Sequence, residues 1–191
     1  MLNDVHHWIE AAWGIVAAFW AVTMFRLKPV VRTKRTGSRP VQVLLLISAA
    51  MLLFSAWPNW AFLDSRALPA SVFTAVGGFT LAAAGALIAI TARAYLGRNW
   101  SGRATIKEDH VLVHHGPYAF VRHPIYTGLL LAAIGTAIAF GQVRSMVALP
   151  LLLLGFWMKL REEERLLLHA FGDQYFAYQE TVRSAIITPI L

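Results

Sequence analysis

The distribution of apolar residues constrains the fold most strongly. Five apolar runs, at about 8–25, 41–57, 70–95, 124–140 and 145–158, are separated by short polar connectors. Only 14% of the chain is charged, whereas a soluble domain carries roughly 25%. A bilayer is crossed by roughly 17–25 apolar residues. The pattern predicts an all-α integral membrane protein with about five transmembrane helices, in which residues 1–191 form one membrane domain.

The basic residues indicate the orientation. Of the 17 lysines and arginines, 15 fall in the connectors and the tail that five spans would place on one side, and only Arg66 and Arg144 fall on the other. Because basic connectors favour the cytoplasmic side, the N-terminus is predicted outside and the C-terminus inside. The net charge of +7 lies at the ends of apolar runs, which argues against a nucleic-acid partner.

Several site classes are excluded or disfavoured by residue content. The chain has no cysteine, which excludes disulfides, thiolate metal sites and a cysteine nucleophile. The histidines between 114 and 123 lack the carboxylate spacing of a zinc helix motif, so no metal site is predicted. No P-loop or dinucleotide fingerprint is present.

Residues 114–128 concentrate imidazoles, a guanidinium and phenols at the mouth of the fourth apolar run. Ionisable groups beside lipid are costly, which makes such a cluster a functional-site hypothesis by default. The tight turn at 141–144 makes the last two runs an antiparallel hairpin. That hairpin returns the chain to the same face, and it brings Arg122 and His123 near Glu163 and Glu164.

Plainer interpretations stay open for each feature. His123 before Pro124 also suits a simple helix start, and Tyr118 and Tyr126 also suit interfacial anchors. The charged stretch 159–165 also suits a solvated helix face, because its charges recur at i,i+4 spacing.

The connector and the tail complete the prediction. In the polar connector 96–122, Ile106 and residues 111–113 are candidates for short extended pieces. The tail continues the fifth helix to Phe171, with Gly172 as the stop. Asp173 is predicted to cap a second, amphipathic helix.

Four stretches, taken together, resemble the isoprenylcysteine carboxyl methyltransferase family, which is allied to the membrane phospholipid methyltransferases. They are Gly116-Pro117-Tyr118, the run from Val121 to Gly128, the pair Glu163-Glu164, and the run from Phe171 to Tyr178. The resemblance covers about residues 95–189. The first half, 1–95, matches only as three hydrophobic spans.

The resemblance implies that the half 96–191 binds S-adenosylmethionine (SAM), with S-adenosylhomocysteine (SAH) as product, in a pocket enclosed by the hairpin, the cytoplasmic connector and the amphipathic C-terminal helix. Arg122 suits the carboxylate of SAM, and Glu163 or Glu164 suits its ammonium or ribose hydroxyls. The implied cofactor-binding residues are His115, Gly116, Pro117, Tyr118, Arg122, His123, Tyr126, Glu163 and Glu164.

The resemblance also implies a lipidic or prenylated acceptor within a lipid environment. If the acceptor is a carboxylate, no base is needed and Arg161 can orient it; if it is an amine or thiol, Glu163, Glu164 or His123 is the candidate base. The predicted catalytic residues are Arg161, Glu163 and Glu164. The function that the resemblance implies is a SAM-dependent methyltransferase that acts on a lipidic acceptor, with a carboxylate as the leading acceptor group, as in isoprenylcysteine carboxyl methylation. Phospholipid N-methylation, thiol S-methylation, an NADPH-dependent sterol-type reductase and a membrane scaffold or transporter subunit are the alternatives. The oligomeric state stays open.

Overall fold

The computed structural model describes residues 2–24, 30–33, 37–54, 61–97, 100, 105–107 and 111–186. Most of the first basic connector and the arginines at 98 and 103, on which part of the predicted orientation rests, lie outside the described residues.

Each of the five predicted apolar runs is a helix. The helices, in chain order, are α1 Leu2–Met24, α2 Arg39–Phe54, the short α3 Ala61–Asp64, α4 Val72–Leu96, α5 Pro124–Phe140, α6 Val143–Phe171 and α7 Asp173–Thr181. The fourth run begins and ends where the sequence predicts, with Pro124 in its first turn, where the missing N–H has no helical partner to lose. The predicted α-helical framework is confirmed.

Two short strands are added to this framework. Strand β1, Val30–Thr33, pairs antiparallel with β2, Thr105–Lys107. The ribbon joins the connector after α1 to the connector after α4, so both connectors lie at the same end of the helices. It confirms the extended segment predicted around Ile106, although the all-α class did not include a paired ribbon.

Helices α4 and α5 approach each other closely through small residues. Gly78 and Gly85 of α4 face Gly135 and Gly128 of α5, and a Cβ placed on Gly85 would lie 2.4 Å from the backbone nitrogen of Ala132. Such contact lets dispersion and backbone packing hold helices together where lipid removes the hydrophobic drive between them. The small residues of the third apolar run therefore pack against small residues of the fourth.

A Gly85→Ala substitution tests this packing. It is expected to lower the thermal stability of the detergent-purified protein, because an extra methyl in a closed contact costs about 1–3 kcal/mol. Gly77→Ala is the matched control on the same helix, since a Cβ there meets no atom within 4 Å. Equal melting temperatures for the two variants would contradict the close approach of α4 and α5.

The outer surface is apolar to an extent that water does not favour. Phe73 is 89% exposed and Leu87 and Leu44 are more than 60% exposed, which resembles a lipid-facing surface rather than that of a soluble monomer. Helices α4 and α6 are long and apolar enough to cross a membrane, while α2 and α5 are shorter apolar helices.

The C-terminal helices differ from the prediction in one detail. Gly172 ends α6 as predicted, with a positive φ of 50° and its N–H bonded to the carbonyl of Leu168. Asp173 does not cap α7: it is the first residue of that helix, and Gly172 occupies the cap position without any side-chain bond. The glycine turn leaves no room for a separate cap residue, and Asp173 instead places a negative charge in the first turn, which the helix dipole favours.

Candidate active site

The carboxylate of Glu164 lies at the centre of a buried polar cluster. Its Oε1 accepts from Arg122 Nε at 2.9 Å and from the hydroxyl of Tyr175 at 2.9 Å, and it lies 2.7 Å from His123 Nε2. Its Oε2 accepts from the amide of Gln179. The side chain is 14% exposed, so the negative charge is balanced almost entirely by protein groups. The predicted proximity of Arg122 and His123 to this glutamate is confirmed.

Arg122 fastens the C-terminal segment to the start of α5. Its Nη1 donates to the carbonyls of Val182 and Arg183, both at 2.7 Å, and its Nε and Nη2 point to Glu164. Its backbone N–H donates to the carbonyl of Ser184. A guanidinium has five N–H donors, and four are engaged inside the protein. Arg122 therefore orients Glu164 and the segment after α7, and its predicted contact with a ligand carboxylate stays a prediction.

Glu163 faces a different neighbour from Glu164. Its Oε1 accepts from the hydroxyl of Tyr126 at 2.7 Å, and its Oε2 lies 3.8 Å from His123 Nδ1. Lys159, one helical turn earlier, has its Nζ 3.9 Å from the same carboxylate. The ring of Tyr126 stacks on that of His123, with centroids 5.7 Å apart, and contacts the tilted ring of Phe156, with centroids 5.2 Å apart. The two neighbouring rings thus hold Tyr126 in place, and its hydroxyl in turn orients the carboxylate of Glu163.

A cavity of about 210 Å³ opens between this cluster and the apolar helices. Its polar wall is formed by Tyr118, Arg122, His123, Tyr126, Lys159 and Glu163. Its apolar wall includes Trp20, Leu46, Trp100, Leu129 and Phe156. A second cavity of about 110 Å³, with an almost wholly apolar lining, shares Leu46, Leu129 and Phe156 with the first. A polar wall that continues into apolar space suits an amphiphilic ligand.

Two tyrosines of α7 close the polar wall. Burial raises the pKa of Tyr175 above its usual range, and the charge and hydrogen bond of Glu164 raise it further. Burial also raises the pKa of Tyr178, whose hydroxyl donates to the carbonyl of Tyr118 at 2.6 Å. Both phenols therefore stay neutral near pH 7, and they serve as hydrogen-bond donors rather than as bases.

The turn at residues 115–117, which the resemblance assigns to cofactor binding, does not line the cavity. Gly116 has a φ of 61°, and a Cβ there would lie 2.3 Å from the ring of Tyr95. The ring of His115 meets Tyr95 edge-on, with centroids 5.9 Å apart. The glycine is needed, but for the approach of Tyr95, and neither Gly116, His115 nor Pro117 is among the residues that line the cavity.

Arg161 also lies outside the cavity. The side chain is exposed, and its guanidinium carbon lies 4.8 Å from the ring centroid of Trp157, one turn earlier. Residues two apart on a helix do not share a face, so Arg161 and Glu163 point in different directions. The placement does not support the predicted role of Arg161 in orienting an acceptor carboxylate.

Sequence reasoning missed several contributors. Trp20 and Leu46 come from the first half of the chain, and as apolar residues within apolar runs they carry no distinguishing signal. Tyr175 and Tyr178 belong to the motif between Phe171 and Tyr178. That motif supports the resemblance, but neither tyrosine was predicted as a site residue. The carbonyls after α7 cannot be found from residue type at all, because every residue carries one.

Comparisons with known proteins show which family this chain resembles. The model of the isoprenylcysteine carboxyl methyltransferase (ICMT) family matches residues 76–169. Protein-S-isoprenylcysteine O-methyltransferase of Schizosaccharomyces pombe is 40% identical over 80 residues, 41% of this chain and 34% of that protein. The Tribolium castaneum protein of the same name is 43% identical over 82 residues, 41% of this chain and 28% of that protein.

A longer match and a solved structure extend the similarity. A probable protein-S-isoprenylcysteine O-methyltransferase of Oryza sativa subsp. indica is 32% identical over 117 residues, 60% of this chain and 61% of that protein. The structure of the eukaryotic intramembrane Ras methyltransferase ICMT, without a monobody, superposes with a TM-score of 0.53 at 29% identity, over 80% of this chain and 54% of that chain. The matched part of this chain thus spans between 28% and 61% of the length of these relatives. The resemblance read from the sequence motifs is confirmed.

Proposed function

Because residues 76–169 match the ICMT family, we propose that this chain is an integral-membrane methyltransferase that transfers a methyl group from SAM to the carboxylate of a prenylated acceptor. The observation that carries the proposal is the cavity whose polar wall, built from the motif residues, continues into apolar space. The printed names of the relatives state an isoprenylcysteine acceptor.

The residues present fit SAM by their chemistry. Glu163 presents a carboxylate to the cavity, held by Tyr126, and it suits the ammonium of SAM. Lys159 and His123 on the same wall suit the SAM carboxylate, since Arg122 is engaged elsewhere. The aromatic faces of Tyr126 and Trp100 suit a sulfonium and an adenine. SAM supplies an electrophilic methyl group, while these side chains bind, align and exclude water.

Glu164 is assigned to the support of this wall rather than to contact with the ligand. It holds His123, through Nε2, and Arg122 in place, and it does not itself line the cavity. Its role as a cofactor-binding residue is thereby narrowed to that of a positioning residue. Arg161 is given no role in this proposal.

The acceptor is proposed to enter with its hydrocarbon chain in the smaller apolar cavity and its reacting group beside the polar wall. A carboxylate acceptor is already a nucleophile, so alignment and desolvation are sufficient for methyl transfer. Amine or thiol acceptors need proton removal, for which Glu163 or His123 is available. Phospholipid N-methylation and thiol S-methylation are therefore the second candidates.

We further propose one membrane domain over residues 1–191, with five spans formed by α1, α2, α4, α5 and α6. The pairing of β1 with β2 supports this arrangement, because it requires the connectors after α1 and α4 to lie on one side of the bilayer. The basic residues of those connectors favour the cytoplasmic side. The site and the C-terminus are then cytoplasmic, and the N-terminus is outside.

Transfer of labelled methyl from SAM tests the proposal. An S-farnesylcysteine acceptor with a free carboxylate is expected to yield a base-labile methyl ester that releases labelled methanol, while the same acceptor with its carboxylate blocked stays unlabelled. Phosphatidylethanolamine and a prenyl-free cysteine thioether serve as comparisons. A base-stable product on the phospholipid, with no ester, would contradict the proposal.

A further inference from the structure

Three consecutive glutamates of α6 contact two different parts of the molecule. Glu163 and Glu164 face the cavity cluster described above, whereas Glu162 reaches the start of α2. The amide nitrogen of Gln42 donates to Glu162 Oε1 at 2.6 Å, and the hydroxyl of Ser38 donates to the same oxygen. The Gln42 nitrogen also lies 3.4 Å from the Ser38 hydroxyl. We call this set, Ser38, Gln42 and Glu162, the α2 latch.

The α2 latch is a specific contact rather than a solvated charge. Gln42 is 6% exposed, so its amide needs a partner inside the protein. An ionised acceptor forms stronger bonds than a neutral one. Glu162 also lies at the N-terminal end of α2, where a negative charge is favoured by the helix dipole.

The latch is positioned to control a residue of the cavity. Leu46 lies one helical turn after Gln42, and it lines both the larger and the smaller cavity. Leu46 also packs over Gly155 of α6, where a Cβ would lie 2.9 Å from Leu46 Cδ2. The contact of α2 with α6 therefore includes the polar latch and the apolar packing of Leu46 on Gly155, and Leu46 lines both cavities.

We propose that Glu162 is a positioning residue that sets acceptor selectivity: by holding α2 through Gln42 and Ser38, it fixes Leu46, which lines both cavities. This inference rests on the proposed function, because it concerns the acceptor's hydrocarbon chain. Helix α2 lies outside the part of the chain that matches the family model, residues 76–169. The latch does not touch the polar wall at Glu163, so cofactor binding is not expected to depend on it.

Kinetics of latch variants with acceptors of two chain lengths test the proposal. For Glu162→Ala we expect the KM for S-farnesylcysteine to rise about tenfold, because bonds to a charged group are lost. The ratio of kcat/KM between farnesyl and geranylgeranyl acceptors should shift, whereas SAH affinity and kcat should change less than about twofold. Gln42→Ala should give the same result, and the double variant should add little, because the two residues share one interaction.

Two further variants make the test specific. Glu162→Gln keeps the oxygen that accepts both bonds, so it should restore most of the wild-type KM and selectivity. Glu180→Ala, an exposed glutamate on α7, should behave as wild type. Unchanged acceptor KM and selectivity in Glu162→Ala would overturn the inference, and so would a parallel loss of SAH affinity and thermal stability, which would make the latch only structural. A wild-type chain that binds no SAH would overturn the proposed function, and this inference with it.

Discussion

Replacing Glu164 by Gln is expected to abolish methyl transfer and to destabilise the protein by about 3–5 kcal/mol. The substitution keeps the shape of the side chain but removes a charge that lies 2.9 Å from Arg122 and 2.7 Å from His123, with both partners buried. Arg122 is then a buried cation with only carbonyl partners. Glutamine keeps one acceptor oxygen for Tyr175, but its amide nitrogen, a donor, takes the place of the oxygen that accepts from Gln179. Thermal unfolding in detergent measures the loss of stability. SAH calorimetry measures the loss of cofactor binding, which would abolish methyl transfer.

Glu180→Gln is the control for this experiment, because it makes the same chemical change on an exposed surface of α7. It should leave unfolding and SAH binding unchanged. A Glu164→Gln protein that unfolds at the wild-type temperature and binds SAH normally would show that the buried cluster does not organise the site.

Replacing Glu163 by Gln is expected to give a different result: a loss of SAH affinity of roughly 10- to 100-fold, from one lost charge-assisted contact, with little change in stability. The hydroxyl of Tyr126 can still donate to the amide oxygen, so the wall keeps its shape. The partly exposed contact with Lys159 contributes less than about 1 kcal/mol. Calorimetric titration with SAH, alongside thermal unfolding, separates the two quantities.

The same substitution at the two neighbouring glutamates is expected to have different effects. Glu164→Gln should lose both stability and binding, whereas Glu163→Gln should lose binding alone. If Glu163→Gln bound SAH as tightly as wild type, the ammonium of the cofactor could not lie against Glu163. A different residue would then have to bind that ammonium.

The general position of the site was predictable because it depends on topology. A tight turn at Gly141 makes α5 and α6 antiparallel, and that arrangement alone returns Glu163 and Glu164 to the side where Arg122 and His123 begin α5. The basic and acidic types of these residues then predict that they pair. Helix boundaries were also predictable where Pro124 and Gly172 mark them.

The detailed roles were less predictable because they depend on side-chain direction and on contacts distant in sequence. A glycine at position 116 allows another group to approach closely, but only the fold shows that this group is the ring of Tyr95. Arg161 and Glu163 have similar sequence context, yet a rotation of two helical positions separates them. Besides Glu164, Arg122 binds the backbone carbonyls at 182–183, about 60 residues away, and no residue pattern predicts that contact.

Calorimetric binding of SAH to the detergent-purified wild-type chain, with NADPH as the comparison ligand, tests the central claim most directly. The cavity chemistry predicts saturable SAH binding that is lost in the Glu164→Gln variant, and no binding of NADPH. Binding of NADPH without SAH would contradict the methyltransferase assignment and favour a membrane reductase, while no binding of either ligand would contradict the cavity as a nucleoside cofactor site.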